Sequence, residues 1–70
     1  MEGELQRILG QNLRRYRIER GLSQEGFADV LGVHRTFVGG LERGERNVSL
    51  KALERYAERL GLDARTLLDS

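Results

Sequence analysis

Seventy residues leave room for one domain, and a chain this short buries only about 60% of its unfolded surface, so its core is small and its stability modest. It has no cysteine, which excludes a disulfide frame and thiolate metal ligation. No apolar run nears the ~18 residues of a membrane span, and the start, MEGELQR, lacks the basic-then-apolar order of a secretory signal, so the expected setting is the cytoplasm. Net charge is only +1, yet the basic residues are eleven Arg and one Lys, so any attraction for a polyanion has to be local and carried by arginine.

Residues 4–19 read as the first helix. Leu5, Ile8, Leu9 and Leu13, with Tyr16 at the margin, recur near helical spacing and define its core face. Glu2 and Glu4 suit the positive end of the helix dipole and Arg20 the negative end. Gly10 is a weakness of about 1 kcal/mol relative to Ala. Arg17 follows Leu13 by four and so points at the core, where a guanidinium needs a buried acid; otherwise it is a solvated side chain on a frayed face. Gly21 ends this helix, and Leu22 packs before the next.

Ser23 caps a second helix, residues 24–31, whose apolar face is Phe27, Ala28 and Leu31. Gly32 suits a left-handed exit, and Val33 plugs the corner. A third helix covers residues 35–43, with His34 at its N-cap, Val38 and Leu41 on its apolar side and Gly44 past its end. The polar loop 44–49 carries Arg46 and Asn47. Ser49 caps a fourth helix, residues 50–60, with Leu50, Leu53, Ala57 and Leu60 as core face and Tyr56 at the edge. Gly61 closes it, and Asp63 caps a short fifth helix from 64 to about 68. The expected fold is all-α, with five helices, no strand and a single domain over residues 1–70.

Residues 24–43 carry more than apolar spacing. Two helices meeting at about 90–120° across a 3–4-residue turn need a small residue where they approach, a backbone that turns sharply and apolar wedges from the second helix. Ala28, Gly32, Val38 and Leu41 supply these at the fifth, ninth, fifteenth and eighteenth positions counted from Gln24. At these restrictive positions the stretch resembles the DNA-binding helix-turn-helix; a plain helical hairpin would need only the apolar spacing.

Over about residues 9–68 the chain resembles the lambda-repressor-like (Cro/repressor, XRE-type) family. The matching pieces are RxxxGLSQ at 17–24, FA at Phe27 and Ala28, LGV at 31–33, ERG at 42–44 and SLKALERYAERLGL at 49–62. Residues 34–50, HRTFVGGLERGERNVSL, look most similar to controller proteins of restriction–modification systems, small dimeric autoregulators that time expression of the endonuclease. The same RT…ERG.RN.S pattern occurs in other small regulators. The resemblance implies that Arg17 and Glu42 form a buried ion pair.

A recognition helix sets its N-terminal residues against base edges. Here these are Arg35 and Thr36, with Phe37 next. Arg35 suits bidentate pairing with guanine O6 and N7, or a phosphate. Thr36 suits a thymine methyl, a base or a phosphate. Phe37 either projects to a thymine methyl or deoxyribose, or folds over the domain. Gly39 and Gly40 depart from the family, which often carries longer polar side chains there. Together they weaken the helix by about 2 kcal/mol, and they leave readout to a close backbone approach or to DNA shape. The family's Gln at the position of Gln24 binds a phosphate, helped by the N–H groups of the helix end. Arg43, Arg46 and Asn47 look like phosphate contacts on the other side, which fix register rather than sequence; each also suits plain solvated surface.

His34 has no second His or Cys with which to hold a metal, and Glu25, Asp29 and Glu45 form no carboxylate pair in a pocket. No enzymatic activity, cofactor, metal or small-molecule ligand is expected. One module offers too few contacts for specificity against a genome, so a homodimer on a palindrome in double-stranded DNA is expected. Tyr56, Leu62, Leu67 and Leu68 exceed what a short terminal helix needs to dock and are the candidate dimer surface, unless they all belong to the core. RNA polymerase is a further partner open to such a regulator. The competing reading is a protein-interaction module on the same fold, such as an antitoxin. A neighbouring methyltransferase or endonuclease gene would mark the controller, and a toxin gene the antitoxin.

Overall fold

The computed structural model describes residues 3–70, which form four α-helices and a closing 3₁₀ helix: α1 Glu4–Glu19, α2 Gln24–Leu31, α3 Arg35–Glu42, α4 Leu50–Leu60 and the 3₁₀ segment Ala64–Leu68. No strand occurs among the described residues. Glu2, assigned above to the first helix dipole, lies outside them.

The helix starts are local chemistry. Ser23 Oγ accepts from the Gly26 N–H at 3.0 Å, and Ser49 Oγ from the Ala52 N–H at 3.0 Å. His34 Nδ1 accepts from the Thr36 N–H at 3.1 Å, and Asp63 Oδ1 from the Arg65 N–H at 2.9 Å. Each side chain satisfies an N–H that the first turn leaves without a partner. Between α2 and α3 the Ala28 carbonyl accepts from the N–H groups of both Gly32 (2.8 Å) and Val33 (3.0 Å). That closure needs φ of 75° at Gly32, a conformation nearly free for glycine and strained for other residues.

The core takes side chains from every element: Leu9 and Leu13 of α1, Phe27, Ala28 and Leu31 of α2, Val38 and Leu41 of α3, Leu53, Tyr56, Ala57 and Leu60 of α4, and Leu67. Phe27, Leu13, Leu31 and Val38 are wholly enclosed at its centre. Val33 packs against this core from the turn. Gly10 is the point where α1 lies directly on the end of α3. A Cβ there would stand 2.3 Å from the Leu41 carbonyl oxygen and 2.8 Å from that of Glu42. The residue expected to be only a helix weakness is the one that permits this crossing.

Four expectations are corrected. The fifth helix is 3₁₀, not α: Thr66 N–H bonds back three residues to Asp63 O at 2.9 Å, and Asp69 N–H to Thr66 O at 3.4 Å. Five residues are too few to repay α-helix nucleation, and short runs settle for the tighter winding. The Asn12 amide of α1 satisfies the end of that segment, donating to Leu67 O at 2.8 Å and Asp69 O at 3.0 Å. Helix α3 stops at Glu42, with Arg43 as its C-cap. Leu5 and Leu50, expected in the core, are 59% and 77% exposed. Both sit in the first turn of a helix, and helical side chains lean towards the N-terminus, which carries these two past the edge of their neighbours. Tyr56, expected at an edge, and Leu67 are the reverse, at 3% and 2% exposure.

Candidate nucleic-acid interface

The motif rests on a buried polar knot. Arg17 of α1 donates to Glu42 of α3 through Nε (2.7 Å to Oε2) and Nη2 (3.1 Å to Oε1). Its Nη1 donates to the Leu22 carbonyl at 3.0 Å. Gln24 at the start of α2 adds an Nε2–H to Glu42 Oε1 at 3.2 Å. The Arg17 and Glu42 side chains are 14% and 4% exposed, and no buried side-chain polar atom among the described residues lacks a partner. The hydrogen bonds from Arg17 to Glu42 hold the guanidinium pKa above its ordinary value, against burial that pulls it down. One carboxylate therefore fixes α1, α2 and α3 in a single arrangement. The sequence shows Arg17 facing inward; that Gln24 joins the knot has no signal in spacing, because 18 residues separate it from Glu42.

At the other end of α3 from Glu42, Arg35 and Thr36 are exposed. The Thr36 N–H is held by His34, so the residues that open the helix share a fixed frame. Phe37 does not project freely. It is half-buried against the core, and the Arg46 guanidinium lies over its ring, 5.3 Å from the centroid. Arg43 Nε pairs with Glu45 Oε1 at 3.1 Å, both side chains in solvent. Asn47 Oδ1 accepts from Gln6 Nε2 of α1, which ties the loop after α3 to the first helix. Gln24 spends one of its two Nε2–H groups on Glu42. Arg46 thus meets Phe37 on α3, Arg35 and Thr36 open that helix, Arg43 caps its end, Asn47 is tied to α1, and Gln24 at the start of α2 reaches Glu42.

Of the residues named for a dimer, Tyr56 and Leu67 are inside the protomer, and Leu62 and Leu68 are half-buried. A shallow, mostly apolar groove lined by Leu5, Leu9, Val48, Leu50, Leu53 and Leu68, together with Gln6 and Asn47, includes one of the four. No group of His, Cys, Asp and Glu that could hold a metal occurs among the described residues, and no helix among them is long and apolar enough to cross a membrane.

A helix with exposed Arg and Thr at its start, braced by a preceding helix through a small–glycine–apolar corner, defines a helix-turn-helix protein. The helix-turn-helix family model matches residues 13–67, and the chain belongs to that family. Among its relatives is the control protein C.SmaI of Serratia marcescens, 43% identical over 65 residues, 93% of this chain and 77% of the relative. Among solved structures it is similar to the restriction-modification controller protein C.AhdI from Aeromonas hydrophila, at 45% identity and TM-score 0.77 over 89% of this chain and 94% of that one. It is also similar to SinR, the master regulator for biofilm formation, solved in complex with DNA, at 34% identity and TM-score 0.74 over 87% and 98% of the two chains.

Proposed function

We propose that this protein is a sequence-specific DNA-binding transcriptional regulator, an autoregulatory controller of a restriction–modification system that acts as a homodimer on a palindromic operator. The observation that carries the reading is the exposed start of α3, Arg35 and Thr36, on a helix whose last residue, Glu42, is held by Arg17 and Gln24. Arg35 and Thr36 read base edges in the major groove, with Phe37 at the edge of that contact. Gln24, Arg43 and Asn47 grip backbone phosphates and fix register; Arg46, expected among them, lies with its guanidinium over the Phe37 ring. The whole chain works as one module with no catalytic role. Its relative C.SmaI and the similar structure C.AhdI are control proteins by name, which favours this reading over a toxin-binding module.

The dimer surface is the apolar groove around Leu50 and Leu68, extended by Leu5, rather than the buried Tyr56 and Leu67. Footprinting on the DNA upstream of the protein's own gene tests the function. A protected, two-fold symmetric site that survives competitor DNA is the expected result. Protection that spreads evenly over any duplex would overturn sequence specificity, and an asymmetric single half-site would overturn the dimer.

A further inference from the structure

We propose that Gly40 is a seat for Arg46, and that Arg46, reaching back from the loop after α3, supplies the base-reading group that the recognition helix lacks at positions 39 and 40. This rests on the DNA-binding reading above. The bare stretch of α3 is not empty space. A Cβ at Gly40 would stand 2.6 Å from Arg46 Nε, 3.1 Å from its Cγ and 3.3 Å from its Cδ, so the arginine stem lies in the volume a side chain would take. A Cβ at Gly39 would meet Arg43 Nη1 at 3.2 Å, a milder contact with the tip of a flexible side chain.

The two arginines differ in what else holds them. Arg43 is paired with Glu45. Arg46 makes no ion pair among the described residues, and its charge rests on the Phe37 ring. A guanidinium resting on a ring keeps its N–H donors, which lie in its own plane and form the fork that matches guanine O6 and N7. Glycine at 40 and the ring at 37 therefore hold a charged fork on the surface of α3, ready to enter the groove with the helix. This also gives Phe37 a task other than touching DNA: it positions Arg46.

The test begins with selection of duplexes from a randomised library by the wild-type protein. Affinities for single-base variants of the selected site, and for a scrambled duplex, are then measured for wild type, R46K and G40A. R46K keeps the charge and loses the fork. G40A displaces the stem while adding a better helix former, so it should melt no lower than wild type. Both variants should lose about tenfold of discrimination at the same base pair of each half-site, with affinity for the scrambled duplex changed less than about twofold and the position read by Arg35 unaffected. Full discrimination retained by R46K makes Arg46 a phosphate contact and overturns the proposal. An unchanged preference in G40A at the base pair that R46K relaxes overturns the seat. If wild type selects no sequence at all, the regulator reading itself falls, which is a different failure.

Discussion

Glu42→Ala is the most informative single change, because Glu42 is buried and α1, α2 and α3 all meet on it. The wild-type carboxylate takes two hydrogen bonds from Arg17 and one from Gln24, at 4% exposure of its side chain. Alanine removes the acid and leaves the Arg17 guanidinium, only 14% exposed, with the Leu22 carbonyl as its one remaining acceptor. An uncompensated buried charge of this kind costs about 3–5 kcal/mol. A chain of this length has about 4–10 kcal/mol of stability in total. The variant should therefore be partly or wholly unfolded at 25 °C. Arg17→Met combined with Glu42→Leu removes both charges and fills their space, and should recover most of the loss. Recovery is incomplete because the Leu22 carbonyl loses its donor, while Gln24 can turn to water. Raising the pH does not disturb the pair: the Arg17 pKa is held above its already very high ordinary value, so its contribution is complete below that value and is lost only as pH rises through the raised one. Urea melts of the two single variants and the double variant measure the coupling. A Glu42→Ala loss under about 1 kcal/mol, the value of an exposed pair, would refute the reasoning.

Gly10→Ala gains about 1 kcal/mol of helix propensity but forces a methyl to 2.3 Å from the Leu41 carbonyl, and overpacking costs about 1–3 kcal/mol; a urea midpoint above wild type would show that α1 simply slides. Arg35→Ala should weaken operator binding by about 1–3 kcal/mol and relax one base position per half-site, whereas equal loss on every duplex would make it a phosphate contact. Leu50→Asp should stay within about 0.5 kcal/mol of wild type as a protomer and sediment as a monomer at micromolar concentration, while Leu67→Asp buries a charge and should unfold; a dimeric Leu50→Asp moves the interface elsewhere. Asp63 is held at about 2, from an ordinary 3.8, first by the Arg65 side chain and then by the Arg65 N–H. Its contribution is therefore complete above 3.8 and lost as pH falls through about 2. Carboxyl NMR should give that midpoint and a higher one in Arg65→Ala, and an unmoved midpoint would exclude the side chain as the main cause.

The sequence by itself determined the limits of α1, α2 and α4, the capping residues and the corner of the motif. Ser23, His34, Ser49 and Asp63 each bond an N–H two or three residues on. Ala28, Gly32, Val38 and Leu41 answer to distances that a helix and one turn fix in advance. Such interactions span a few residues, so their geometry follows from backbone geometry alone. Tertiary structure decided what lies on each face at the helix ends and beyond the turns. Leu50 and Leu67 exchanged places between core and surface because the cover over a terminal turn comes from an element far away in sequence. Gly10 changed from a weak point to a crossing point for the same reason: the carbonyl that excludes a methyl there belongs to Leu41, 31 residues on. Gln24 turned inward to an acid 18 residues away. Arg46 settled on Gly40 and Phe37, a contact no periodicity predicts, because a loop is free to fold back wherever the helix beside it leaves room.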